Sequence, residues 1–232
     1  MLLLHGFMAY KEGDGYLLRK IAEGLKKNGI ASARIDFCSM GENRGSRRLY
    51  GLETLVHDAK VAYQFLQAED PLIDANRVGI MGHSLGGRVT LLSTDLEPRC
   101  IVLLNGAANI GGGMRMKNVN EAEMKRQGYT IVETSDGRSE LLFPKFYEDM
   151  DKFASNDAAL RYQGPTLVCV GLADPTVPPQ VGLDFYEKYQ NVNKALLTIE
   201  DANHTFNAKT GDYSKVNELI AKMNPWLDAN LK

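Results

Sequence analysis

The sequence predicts an α/β fold, a mainly parallel sheet with helices on both faces and one small inserted cap. Three observations predict it. Short apolar runs alternate with amphipathic stretches of helical spacing, the rhythm of repeated βαβ units. The 232 residues, 44% hydrophobic and 24% charged, suit one large α/β domain or two small ones, with an ample buried core. A stretch of about sixty residues interrupts the rhythm and is too long for a bare connection between strands.

The elements follow in order. Met1-Leu2-Leu3-Leu4 reads as a buried strand that stops at the polar turn His5-Gly6-Phe7. Leu17, Leu18, Ile21, Ala22 and Leu25 recur at helical spacing within Tyr16 to Asn28, and Gly29 supplies the stop. A strand over Ala31 to Phe37 and a Gly/Arg-rich loop from Gly41 to Arg48 come next, then a helix over about Leu52 to Gln67. Arg77 to Met81 is a short strand ending at Gly82, with a helix beginning near Leu85 and a buried strand over Cys100 to Leu104. The interrupting stretch opens on Gly111-Gly112-Gly113. It predicts a hairpin, Tyr129 to Glu133 and Glu140 to Phe143 about the turn Ser135-Asp136-Gly137-Arg138, and a short helix over about Lys145 to Phe153. Thr166 to Val170 and Lys194 to Ile199 are strands, and helices are expected over about Gln180 to Tyr189 and Tyr213 to Leu227. The core therefore spans residues 1–105 and 165–232, with residues 106–164 as a cap over the sheet edge.

Composition narrows the function. Lys and Arg number 27 against 29 Asp and Glu, a formal charge of −2, whereas a nucleic-acid or polybasic membrane binder needs a clear basic excess. No apolar run approaches the roughly 18 residues of a membrane span. Cys38, Cys100 and Cys169 are far apart and odd in number, which predicts a reducing, cytoplasmic setting rather than a disulfide framework. The four histidines show no metal-binding spacing, so no metal is expected.

Gly82-His83-Ser84-Leu85-Gly86 fits G-x-S-x-G where that motif carries meaning, between a predicted strand and a predicted helix. The turn strains the serine backbone and leaves no room for a Cβ at either glycine, and the helix start aims free N–H groups beside the hydroxyl. A serine hydroxyl needs a base. His204, beyond the later strands, has the position for it. His57 lies within a helix, His83 would point away from the serine, and His5 braces the first turn. The acid that orients the imidazole is Asp174, directly after a strand and held extended by Pro175. Asp201 is better placed as a turn former and Asp184 lies within a helix. The order Ser84, Asp174, His204 suits a nucleophile turn on a doubly wound sheet. For the oxyanion, one donor is the Leu85 amide and the other comes from the His5-Gly6-Phe7 loop, the Phe7 amide before that of Met8. Phe143, Phe146, Tyr147 and Asp149 of the cap are candidate substrate contacts, with packing of the cap as their other reading.

So assembled, the chain resembles the α/β-hydrolase superfamily from its first strand to its last helix, everywhere except the insertion. The matching stretches are HGF (His5 to Phe7), GHSLGG (Gly82 to Gly87), GLADPTVP (Gly171 to Pro178) and NHTF (Asn203 to Phe206). Within it the chain is most similar to small bacterial carboxylesterases of the cinnamoyl/feruloyl esterase type, which carry a compact cap at this place. The resemblance implies cofactor-free hydrolysis of a small-molecule ester on Ser84, an oxyanion hole of the Phe7 and Leu85 amides, and a pocket roofed by the cap. The runner-up is a thioesterase or lysophospholipase-like acyl hydrolase with the same triad. A peptidase is not expected, since nothing suggests a site for a free amine. From another class comes a non-catalytic ligand-binding module on the same fold. The sequence leaves the oligomeric state open.

Overall fold

The computed structural model describes residues 1–68, 72–108, 119–154 and 157–232, so the predicted glycine run 111–113 lies outside the described residues. In chain order the elements are β1 (Leu2–Leu4), α1 (Leu17–Lys27), β2 (Ala33–Arg34), α2 (Leu52–Ala68), β3 (Ile80–His83), α3 (Leu85–Leu92) and β4 (Ile101–Leu104). There follow α4 (Glu121–Gln127), β5 (Thr130–Glu133), β6 (Ser139–Leu142), α5 (Lys145–Lys152) and α6 (Asp157–Arg161). The chain closes with β7 (Thr166–Gly171), α7 (Pro179–Lys188), β8 (Lys194–Ile199) and α8 (Ser214–Asn230).

Among the described residues six strands form one parallel sheet in the order β2-β1-β3-β4-β7-β8, while β5 and β6 pair only with each other, antiparallel. From β1 the chain steps outward to β2 and then returns to lay β3 on the other side of β1. That reversal is a switch point, and in sheets of this kind ligands bind outside the carboxyl ends of the strands at such a point, here those of β1 and β3.

Alternate strand residues face opposite layers, as period two demands. Leu3, Met81, Val102, Leu104, Leu167 and Cys169 pack against α1 and α8, where Leu18, Ile21 and Leu25 meet Leu219, Met223 and Leu227. On the other face Leu2, Leu4 and Ile80 pack against Leu55, Ala59 and Tyr63 of α2 and Val89 of α3. Toward β7, Leu103, Val168 and Val170 meet Phe185 and Tyr189 at the end of α7. Helix α1 ends as its sequence requires. Gly29 adopts φ 72, its N–H donates to the Lys26 carbonyl at 3.0 Å, and the Ile30 N–H donates to Leu25 at 2.9 Å.

Two strands differ from expectation. The predicted strand 31–37 contracts to Ala33–Arg34, because side chains draw its second half off the ladder. Asp36 accepts from the Lys11 N–H at 2.7 Å and the Glu42 N–H at 3.0 Å, and the Phe37 N–H donates to His5 Nε2 at 3.2 Å. The predicted strand 77–81 shifts along the chain to Ile80–His83: Arg77 closes a 3-10 turn, while Gly82 and His83 stay in register with Leu103 and Leu104. The hairpin forms about the predicted turn, with Gly137 at φ 81 and the Thr134 N–H donating to the Arg138 carbonyl at 2.8 Å.

Candidate active site

Ser84 lies where β3 turns into α3, with φ 55 and ψ −120. A residue carrying a side chain holds that conformation only when its surroundings over-determine it. Here the Ser84 N–H donates to the Leu104 carbonyl at 3.0 Å, and its own carbonyl accepts from the Gly87 N–H at 2.9 Å and the Ala107 N–H at 3.0 Å. A Cβ on Gly82 would strike the Gly86 carbonyl, and one on Gly86 would strike the Leu4 carbonyl. Both motif glycines are thus required by contact.

The loop after β1 packs directly on this turn: a Cβ on Gly6 would sit 3.2 Å from Ser84 Cβ. His5 is fully buried beneath the loop. Its Nδ1–H donates to the Gly6 carbonyl at 2.8 Å and its Nε2 accepts from Phe37, so one neutral tautomer is held and burial pushes its pKa down to about 4. Of the two amides left open by the sequence, that of Met8 is spent, donating to Tyr50 Oη at 2.8 Å. The Phe7 N–H and the Leu85 N–H, the latter at the first turn of α3, have no acceptor among the described residues.

Asp174 stands in the turn after β7. Its Oδ1 accepts from the N–H groups of Thr176 at 2.8 Å and Val177 at 3.0 Å, and its Oδ2 accepts from His204 Nδ1 at 2.7 Å. The Asp174 side chain is fully covered while that of His204 remains 15% exposed. With Nδ1–H committed to the carboxylate, Nε2 is the basic nitrogen. The His204 loop is fixed from below. Its carbonyl accepts from His83 Nε2–H at 2.8 Å and from Asn105 Nδ2 at 3.0 Å, while Asn105 Oδ1 accepts from the Gly171 N–H at 2.7 Å. Burial first, and the neighbouring His204 second, push the His83 pKa down to about 3.

The structure therefore brings His204 and Asp174 into direct contact. Ser84 reaches the same rim through its neighbours: His83 precedes it in β3, and Asn105 follows the β4 residue that accepts its N–H. Among the described residues Ser84 Oγ and His204 share no hydrogen bond; the His204 ring lies against that of His83, the residue before Ser84, with centroids 4.7 Å apart. The rival histidine and acids lie elsewhere: His57 is exposed on α2, Asp201 is a turn residue at φ 54, and Asp184 bonds Gln180 within α7.

Phe146 and Tyr147 of α5 are buried beside the loop after β1, with ring centroids 5.5 Å apart. Phe146 also lies 5.1 Å from Phe7 and 5.8 Å from Tyr50. Phe143 packs 6.1 Å from Tyr129, beneath the Arg48 guanidinium. Asp149 has other partners than a substrate. Its Oδ2 accepts from the Glu53 N–H at 2.9 Å, and Lys145 Nζ donates to its Oδ1 at 3.0 Å, so it caps the start of α2. The sequence reading missed Asn105, Tyr50 and Arg138. A polar residue closing the apolar run Ile101–Leu104 was the available signal for Asn105, and Tyr50 and Arg138 offered none short of tertiary contact.

Among the described residues no group of three His, Cys, Asp or Glu could hold a metal ion, and no helix is long and apolar enough to cross a membrane.

Comparison with solved structures places the chain on the α/β-hydrolase fold. Est1E from Butyrivibrio proteoclasticus, solved with ferulic acid bound, aligns with a TM-score of 0.78 at 20% identity, covering 99% of this chain and 88% of that one. A monoacylglycerol lipase from Paleococcus ferrophilus aligns at 0.73 with 17% identity, over 99% and 93% of the two chains. In sequence the chain is 30% identical over 110 residues to the polyketide transferase ATR5 of Stachybotrys chlorohalonatus, a match spanning 47% of this chain and 36% of that relative's length. The prolyl oligopeptidase family model matches residues 45–232, a stretch that includes Ser84, Asp174 and His204. On that match, extending over most of its length, the chain belongs to the prolyl oligopeptidase family.

Proposed function

We propose that this chain is a serine carboxylesterase that cleaves a small-molecule carboxylic ester through an acyl-enzyme on Ser84. The observation that carries the reading is the 2.7 Å hydrogen bond from His204 to Asp174, on the rim where the strained Ser84 turn opens. In this reading Ser84 Oγ attacks the ester carbonyl as His204 Nε2 takes its proton. The Phe7 and Leu85 amides stabilise the oxyanion, and the imidazolium, held by Asp174, protonates the departing alcohol. Water then enters by the same route and frees the acid. Residues 1–105 and 165–232 form the catalytic core in this scheme, and residues 106–164 form the cap. Phe146 and Tyr147 place aromatic rings beside Phe7 of the loop after β1, which supports hydroxycinnamoyl (feruloyl-type) esters as the first substrate class to test, with Phe143 the remaining aromatic candidate of the cap. Asp149, engaged as a helix cap, is given no substrate contact. The spread of cysteines goes with a cytoplasmic setting.

The match to a polyketide transferase favours one second reading, a thioesterase-like acyl hydrolase using the same three residues. A substrate panel separates the two. Methyl ferulate, p-nitrophenyl acetate, a long-chain ester, an acyl-CoA thioester and, for the family's sake, a prolyl anilide should be assayed alongside fluorophosphonate labelling. Preferred turnover of the aryl ester with labelling at Ser84 is the expected result. Turnover of the thioester alone would replace the proposal by the second reading, and absence of labelling would point to a non-catalytic binding module.

A further inference from the structure

We infer that Tyr50 and Arg138 are positioning residues for the oxyanion hole, gripping Met8 from both sides and so fixing the adjacent Phe7 amide. This rests on the esterase reading above. Met8 is fully buried and takes the left-handed φ of 48, a backbone state that needs outside support in a residue with a side chain. Its N–H donates to Tyr50 Oη at 2.8 Å, and its carbonyl accepts from Arg138 Nη2 at 2.8 Å. The peptide group bonded to Tyr50 joins Phe7 to Met8, so its plane sets the direction of the preceding residue. Burial keeps the Tyr50 hydroxyl protonated by raising its pKa.

The two holders belong to one frame. The Arg138 guanidinium is oriented by Asp136, at 2.8 Å from Nε, and by Glu140, at 2.6 Å from Nη1. Glu140 also pairs with Arg47 at 2.7 Å, and the Tyr50 N–H donates to the Arg47 carbonyl at 3.1 Å. The ring Met8–Arg138–Glu140–Arg47–Tyr50 thereby closes on itself. Its hairpin side is anchored further where Ser135 meets Asp14 and Lys209. Planar fork bonding of this kind fixes direction as well as distance, which lysine cannot reproduce. The inserted hairpin is therefore more than a roof: it supplies one of the two hands that hold the oxyanion loop.

An oxyanion donor acts on the transition state far more than on the bound ester, so loosening it should lower kcat and leave KM nearly unchanged. The test uses the full-length chain as wild type, Arg138→Gln, Arg138→Lys, Tyr50→Phe and the double variant Arg138→Gln/Tyr50→Phe. Each is assayed on p-nitrophenyl acetate and for inhibition by phenylboronic acid, which forms a tetrahedral adduct on the serine. Losing one whole donor typically costs about 10²–10³ in kcat, so misdirecting one is expected to cost about 10- to 100-fold. Arg138→Gln and Tyr50→Phe should show that loss with KM within about twofold and boronate affinity falling in parallel. Arg138→Lys should not restore activity, and the double variant should lose little more than either single one. Should Tyr50→Phe fail to fold, since it strands a buried N–H, the Arg138 variants on the partly exposed hairpin carry the test. An active wild type whose variants lose Tm but keep kcat, or raise KM with kcat intact, would overturn the frame while leaving the esterase reading in place. A wild type that neither turns over an ester nor reacts with a fluorophosphonate would reject the esterase reading, and the inference with it.

Discussion

At position 84 the backbone is held at φ 55 and ψ −120 by three main-chain hydrogen bonds. Such a conformation costs a side-chain-bearing residue about 1–3 kcal/mol, and glycine escapes most of that cost. Ser84→Gly is therefore expected to raise Tm in a thermal melt by a few degrees while abolishing turnover. Ser84→Ala keeps the strain, so its Tm should stay near wild type as kcat drops by about 10⁴-fold or more. A Ser84→Gly melt unchanged or lower would mean that the strain is not stored there. Gly86→Ala makes the opposite case: its Cβ would run into the Leu4 carbonyl beneath the turn, so loss of soluble folded protein on expression is the expected outcome.

Among the elements, α2 and α5 meet at a cap supplied across 96 residues of sequence, Asp149 to the Glu53 N–H. Removing it with Asp149→Ala should cost about 1–2 kcal/mol of unfolding free energy in urea and leave KM for an aryl ester unchanged. A raised KM with unaltered stability would return Asp149 to the list of substrate contacts. This long-range cap marks where sequence reading stops. The Ser84 turn was legible because its close packing demands glycine at two fixed places, α1 because its apolar positions keep a helical period, and β7 because it is an unbroken apolar run. Helix α4 escaped notice although Asn120 caps it and Gly128 ends it at φ 80, because only Met124 is buried on it and no apolar stripe announces it. The shrinkage of β2 and the role of Asp149 depend on partners that come near only after folding. The Asp174–His204 pair was inferred from strand order, and its 2.7 Å contact is what the fold adds.

For the molecule as a whole, the buried histidines link folding to acidity. His5 and His83 have native pKa values of about 4 and about 3, below the ordinary value of about 6.5 that applies when unfolded. As pH falls below about 6.5 the unfolded chain binds protons before the native one does, so stability is full above that point and declines below it. Each histidine adds a slope approaching about 1.4 kcal/mol per pH unit, ending near pH 4 for His5 and near pH 3 for His83. Urea midpoints should accordingly fall steadily from pH 7 to pH 5, and His83→Gln should flatten the trend. A midpoint constant over that interval would contradict the burial of both rings as neutral species.

The sheet order carries one last consequence. In the proposed mechanism everything on the attacking side, from β1 through Ser84, precedes the segment between β4 and β7, and the proton-handling pair, Asp174 and His204, follows it; the two sides meet in the sheet along the four-residue β4–β7 seam. A single backbone nick between β4 and β7 would thus divide the proposed esterase into a warhead half and a relay half, each expected to be inert alone. Recovered ester turnover on mixing would then report directly on whether two separately made polypeptides had found each other.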